Sequence, residues 1–77
     1  MEFNEQPINV YIKTNYLNEI TDIGSSVFIT DPYNWTMIDS GYGDRYSHAK
    51  AQYLEKPLTN QFGRYNYRYE NGQIVEN

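Results

Sequence analysis

An α+β fold, a small single domain of two antiparallel β-hairpins with one short helix between them, is predicted by three features of this sequence. Apolar and polar residues alternate from Ile8 to Thr14 (INVYIKT), and a second run, Ile20–Ile23, follows a polar break. A second alternating stretch, Arg64–Tyr69, runs into Asn71-Gly72, the dipeptide best suited to a two-residue hairpin turn. Between them, only Tyr46–Leu54 has helical spacing, and Pro57 stops it.

Taken in chain order, residues 1–7 read as a flexible arm, polar and closed by Pro7, and residues 8–77 as the domain. Ile8, Val10 and Ile12 share one strand face, with Asn9, Tyr11 and Lys13 on the other. The polar loop Asn15–Glu19 joins this strand to Ile20–Ile23. Gly24-Ser25-Ser26 permits a bulge, after which Val27-Phe28-Ile29 is expected to resume the strand. Asp31-Pro32-Tyr33-Asn34 is a turn by its chemistry, and Trp35–Asp39 is expected to be a short strand. Tyr46, Ala49 and Tyr53 fall on one helical face suited to packing on a sheet. The expected core is Phe28, Trp35, Ile38, Tyr46, Ala49, Leu54 and Tyr67.

Size and composition narrow the functional classes. A chain of 77 residues buries only ~60% of its unfolded surface, which leaves little margin for a hydrophobic core. With no cysteine and one histidine, disulfide staples and the common zinc sites are not expected, and no cofactor is implied. Nine Tyr, three Phe and one Trp remain as the material for packing or association, so a homo-oligomer is one expectation. The net charge of -4 and the absence of a basic run argue against nucleic acid. Apolar runs are too short for a membrane span, and the acidic, polar start does not read as a signal peptide.

The stretch GYGDRYSHAK, Gly41–Lys50, carries the motifs that invite chemistry. Asp39-Ser40-Gly41 matches the core of the aspartic-protease signature, but that chemistry needs a second aspartate and a larger sheet. The glycines suggest a phosphate loop, yet no Lys-Ser/Thr pair follows and Asp44 opposes an anion. Asp44 and His48, four apart and close to Ser40 and Ser47, have the residue types of a nucleophilic triad without anything that fixes its geometry. The simpler reading makes Gly41 and Gly43 turn residues and Asp44 or Ser47 the helix cap. The protein is therefore read as a non-enzyme, with no catalytic, cofactor or metal residues. Tyr65, Tyr67 and Tyr69 share a strand face. They serve either as the packed face of the hairpin or, with Arg68 beside them, as an interaction surface to which Tyr11 and Tyr33 add.

The pattern ITDIGSSVFITD…W…IDSGYGDRYSHAKAQYLEKPL…GRYNYRYENGQIVE, covering Val10 to Glu76, resembles a group of small proteins encoded in the tail modules of phages and prophages of low-GC Gram-positive bacteria. Trp35, Ile38-Asp39, Gly43-Asp44, His48-Ala49, Lys56-Pro57-Leu58 and Tyr65-Asn66-Tyr67 carry the resemblance, and Lys50 departs from the Gln more often found there. It implies a structural or accessory part of the tail near the fibre or baseplate, in contact with tail and fibre proteins. It further implies assembly in the host cytoplasm, then residence in the virion tail. The alternatives are a fibre-assembly chaperone absent from the mature particle, or a small binding module with a tyrosine platform for protein or sugar. No membrane and no nucleic-acid partner is expected.

Overall fold

A computed structural model describes residues 6–77, and the fold is α+β as the hydrophobic patterning predicts. Most of the arm expected at residues 1–7, namely residues 1–5, lies outside the described residues, while Gln6 and Pro7 are exposed. Strands β1 (Ile8–Thr14), β2 (Ile20–Ser25) and β3 (Thr36–Gly41) form an antiparallel sheet in the order β2-β1-β3. Helices α1 (Asp44–Ser47) and α2 (Ala49–Gln52) follow, and β4 (Tyr67–Glu70) and β5 (Gln73–Glu76) make a separate hairpin.

The β1–β2 connection is built by one side chain. Asn15 Oδ1 accepts hydrogen bonds from the N–H groups of Leu17 and Glu19, at 2.9 and 3.0 Å, while Asn18 takes a positive φ of 63°. These are the local bonds and left-handed backbone that asparagine tolerates and β-branched residues do not. The register slips once between Lys13 and Thr14, and β1 slips against β3 between Val10 and Tyr11. The second slip leaves Ile38 without a cross-strand partner and re-aims the end of β3.

The core lies on one face of the three-stranded sheet: Val10, Ile12, Ile20 and Ile23 are fully shielded, closed over by Ala49 and Tyr67. Ile38, Tyr46, Tyr53, Leu54, Leu58, Tyr69 and Ile74 pack around it. Strand alternation puts Tyr11 on the opposite face, yet it is also buried, and its hydroxyl accepts from Asn9 Nδ2 at 3.2 Å. The terminal hairpin is tied to the main sheet by an antiparallel bridge between Glu19 and Arg68 and by Tyr69 N–H donating to Asn18 C=O at 2.8 Å.

Four sequence expectations need correction. Val27-Phe28-Ile29 is a turn, because the N–H groups of both Phe28 and Ile29 donate to Ser25 C=O. Gly24 makes that turn possible: a Cβ there would stand 2.6 Å from Ile29 Cδ1. Phe28, expected in the core, is therefore 69% exposed, and Trp35 is only half-buried. The helix Tyr46–Leu54 is two single turns that break at His48 (φ -107°, ψ 44°). The buried Ser25 hydroxyl donates to Ser47 C=O at 2.7 Å, occupying the carbonyl that a continuous helix would offer to Ala51. Ala51 N–H turns instead to His48 C=O. Finally, the strand read over Arg64–Tyr69 begins at Tyr67. Asn60 Oδ1 accepts from the N–H groups of Phe62 and Arg64 and folds that stretch into a turn, leaving Tyr65 in an isolated bridge to Thr59.

Candidate functional site

The motif-bearing stretch converges on one cluster where β3 meets the helices. The bulge in β3 places Asp39 beside Tyr53 at the end of α2, and the Tyr53 hydroxyl donates to Asp39 Oδ2 at 2.6 Å. The other oxygen, Oδ1, accepts the Ser40 N–H at 2.7 Å. Tyr46 meets Tyr53 edge to face at a centroid distance of 5.9 Å, and the Arg45 guanidinium lies over the Tyr53 ring at 4.1 Å. This is a stacked column of cation and rings, an arrangement that stabilises both.

The electrostatics follow from these contacts. The Tyr53 hydrogen bond, helped by Ser40 N–H and the nearby Arg45 charge, holds the Asp39 carboxyl below its ordinary value of 3.8 against the opposing effect of burial. Burial, and then the Asp39 carboxylate, push the Tyr53 phenol up to about 12. Both groups are thus fixed in their neutral-pH forms, Asp39 ionised and Tyr53 protonated. Asp39 is a weak base in this setting, with both oxygens already engaged.

The glycines next to Asp39 have separate roles. Gly41 keeps an ordinary strand backbone, but a Cβ on it would stand 2.7 Å from Tyr46 Cζ, so the missing side chain is the seat of the Tyr46 ring. Gly43 has φ 97° and ψ 178°, a conformation open essentially to glycine alone, with nothing within 4 Å of a Cβ there. Gly43 is itself the N-cap of α1, and no side chain caps that end. Asp44, proposed as a cap, is the first helical residue, and the Ser47 hydroxyl donates at 3.4 Å to Asp44 C=O rather than accepting from a free N–H. The cap reading of Asp44 and Ser47 is corrected accordingly: glycine's backbone freedom makes the entry to the helix.

His48 and Asp44 meet only through the backbone, His48 N–H donating to Asp44 C=O at 2.8 Å. The His48 ring faces Phe28 instead, at a centroid distance of 6.2 Å. Ser40 and Ser47 make no hydrogen bond to it among the described residues, and the residue types of a triad are not brought together. Among the described residues no group of three or more His, Cys, Asp or Glu side chains is placed to hold a metal.

The tyrosine strand faces inward. Tyr67 is 7% exposed, and its hydroxyl accepts the Lys56 N–H at 3.0 Å. Tyr69 packs on the core and Tyr65 is half-buried, so the three do not form an open platform. Arg68, on the other strand face, is engaged by Glu70 at 2.7 Å. Two grooves flank this arrangement. One, of about 570 Å³, runs between the Arg45–Tyr53 column and the terminal hairpin and is bordered by Tyr69, Gln73 and Glu76. The other, of about 460 Å³, lies beside β2 between Phe28, Trp35 and His48. Sequence reasoning missed this second groove because it placed Phe28 and Trp35 in the core.

No protein-family model, no curated protein and no solved structure matches this chain. No helix among the described residues is long and apolar enough to cross a membrane.

Proposed function

We propose that this protein is a non-enzymatic structural or accessory component of a phage tail, in the fibre or baseplate region, that works through protein–protein contacts. The observation that carries the contact role is the distribution of large apolar side chains. Tyr16, Leu17, Tyr33 and Phe62, all on loops, are 92%, 54%, 88% and 76% exposed. Single exposed hydrophobics are ordinary, but four at turn tips, around a core this small, suit a surface completed by partners. The placement in a tail rests on the resemblance spanning Val10–Glu76. The candidate contact residues are these loop side chains, since Tyr67 and Tyr69 are spent on the protein's own core.

The Asp39–Tyr53 cluster supports the non-enzymatic reading in chemical terms: it contains a carboxylate already committed to two donors and a phenol held protonated. In this reading it holds the helices to the sheet. Mass spectrometry of purified particles tests the proposal. The protein should be present at a copy number that matches the tail's symmetry. Its absence from particles, combined with recovery on unassembled fibre protein from infected cells, would establish the chaperone alternative instead.

A further inference from the structure

Both sheets end in strands with one side unpaired: β2 and β3 in the three-stranded sheet, β4 and β5 in the hairpin. Such an edge presents bare N–H and C=O groups to any extended chain beside it. Three of these four edges are closed from within. Ser26 N–H donates to Asn9 C=O, so the alternation of an antiparallel ladder turns the backbone groups of Ile23 on β2 and Ser40 on β3 away from β1. Each of these N–H groups is accepted by the preceding aspartate, Ile23 by Asp22 Oδ1 at 2.8 Å and Ser40 by Asp39 Oδ1 at 2.7 Å. β4 is covered where Tyr69 N–H donates to Asn18 C=O at 2.8 Å and Arg68 bridges to Glu19.

The edge of β5 has no such cover. The two-residue turn at Asn71-Gly72 makes Glu70–Gln73 and Arg68–Val75 the bonded pairs, and Asn77 N–H donating to Asn66 C=O at 2.8 Å continues the series. Ile74 and Glu76 therefore direct their N–H and C=O groups outward, and among the described residues nothing is hydrogen-bonded to them. The strand carries no bulge and no proline, and it borders the groove of about 570 Å³ lined by Ile38, Tyr53, Leu54 and Tyr69. The acids of this hairpin are already neutralised, Glu76 by Lys56 and Glu70 by Arg68, on a chain whose net charge is -4.

We infer that β5 pairs antiparallel with the β5 of a second copy about a twofold axis at Val75, joining the two hairpins into one continuous sheet. Outward groups two residues apart fit this register, because Ile74 of each copy then exchanges both of its backbone bonds with Glu76 of the other. Val75 meets its own counterpart across the axis, and Glu76 stands opposite Ile74 rather than opposite another acid. The same pairing brings Ile74 of the second copy to the mouth of the apolar groove. Paired charges and a self-matching register suit a like partner in closed symmetry better than a charged segment of another protein. The inference goes beyond the loop contacts proposed above and does not rest on placement in a tail.

Sedimentation equilibrium and NMR on the full chain test this. The mass should rise from one copy to two with concentration, and the Ile74 and Glu76 amides should gain protection from exchange in step with it. Glu76→Pro removes an outward N–H that no bond within the chain uses, and should weaken the dimer about tenfold or more. Glu76→Ala keeps that N–H and should weaken it far less. Val75→Glu sets two carboxylates face to face at the axis and should also weaken the dimer, less so at high salt. In a mixture of isotope-labelled and unlabelled chains, Val75 of one copy should show proton contacts with Val75 of the other. Should circular dichroism show Glu76→Pro misfolded, these contacts decide in its place. A chain that stays monomeric up to millimolar concentration, a dimer without the Val75 contacts, or one indifferent to both Glu76→Pro and Val75→Glu overturns the inference. Protection of Ile74 and Glu76 that appears only when unassembled fibre protein is added also overturns it, by assigning the edge to a different chain.

Discussion

Tyr53 donates its hydroxyl proton to Asp39 Oδ2 at 2.6 Å, so the end of α2 is tied to the second half of strand β3 by a charge-assisted hydrogen bond. A bond of this kind to an ionised acceptor is worth about 1.5–3 kcal/mol where water is excluded, and less at a partly exposed site. Tyr53→Phe and Asp39→Asn should each lower stability by about 1 kcal/mol, and the double variant by clearly less than their sum. Urea unfolding of the four proteins of this cycle measures the coupling. Strict additivity would show that the pair is not a unit.

The same pair predicts the pH dependence at both ends. Asp39 is depressed in the folded state, so its contribution is present above the ordinary 3.8 and is lost as pH falls through the lower folded value. Tyr53 is raised from 10.0 to about 12, so its contribution is complete below pH 10 and is lost as pH climbs through that interval. Thermal melts of wild type should therefore fall off at acid and alkaline pH, and Tyr53→Phe, which removes both the phenol and the hydrogen bond that depresses Asp39, should flatten the alkaline side and weaken the acid-side loss as well. An unchanged alkaline slope in Tyr53→Phe would place the transition elsewhere.

The two glycines before α1 should fail for different reasons. Gly43→Ala forces an alanine into a glycine-only backbone region and should cost about 1–3 kcal/mol whatever its neighbours. Gly41→Ala drives a methyl into the Tyr46 ring and should cost about 1–3 kcal/mol by overpacking. Only the second should be relieved by trimming the ring, as in Gly41→Ala/Tyr46→Leu. Melting temperatures of the single and double variants distinguish strain in the backbone from strain in the packing.

Tyr67 and Phe62 should behave as opposites. Tyr67→Ala removes a buried ring and should cost about 3–5 kcal/mol, while Tyr67→Phe gives up only the hydroxyl that accepts the Lys56 N–H and should cost about 1 kcal/mol. Phe62→Ser, at a 76% exposed turn tip, should leave stability within about 0.5 kcal/mol of wild type. If the loops are contact surfaces, Phe62→Ser should still reduce incorporation into particles, measured by quantitative mass spectrometry.

Sequence patterning made the hairpins legible, because alternation and the Asn71-Gly72 turn are local signals that survive in the fold except at the start of the Arg64–Tyr69 run, which Asn60 draws into a turn. The core was less legible. Aromatic mass suggested Phe28 and Trp35, whereas the fully shielded positions are the aliphatics Val10, Ile12, Ile20 and Ile23, on β1 and its neighbour β2. Branched aliphatics on β1 and β2 bury completely under the two short helices, whereas Phe28 is carried outward by the turn at Ser25 and Trp35 stands just ahead of β3. The helix was misread at His48 because its interruption is caused by a hydroxyl twenty-two residues away from the carbonyl it occupies. Asp39 was singled out for a motif it shares by three residues. Its actual partner, fourteen residues on, follows no spacing rule. Pairings of this kind belong to tertiary structure and leave no periodic trace.

The tie between the terminal hairpin and the β1–β2 turn has a consequence for the order of folding. Glu19 bridges to Arg68, and its carboxylate accepts Asn77 Nδ2 at 2.8 Å across 58 positions of chain. Such a closure comes late, since the loop entropy must be lost before the contact repays it. During synthesis the three-stranded sheet therefore emerges with Ile20 and Ile23 incompletely roofed, until Tyr67 leaves the ribosome and swings down over them. Pulse-labelling hydrogen exchange on the refolding chain should find the amides of β1 and β2 protected before those of β4 and β5. Protection of β4 and β5 first would reverse that order.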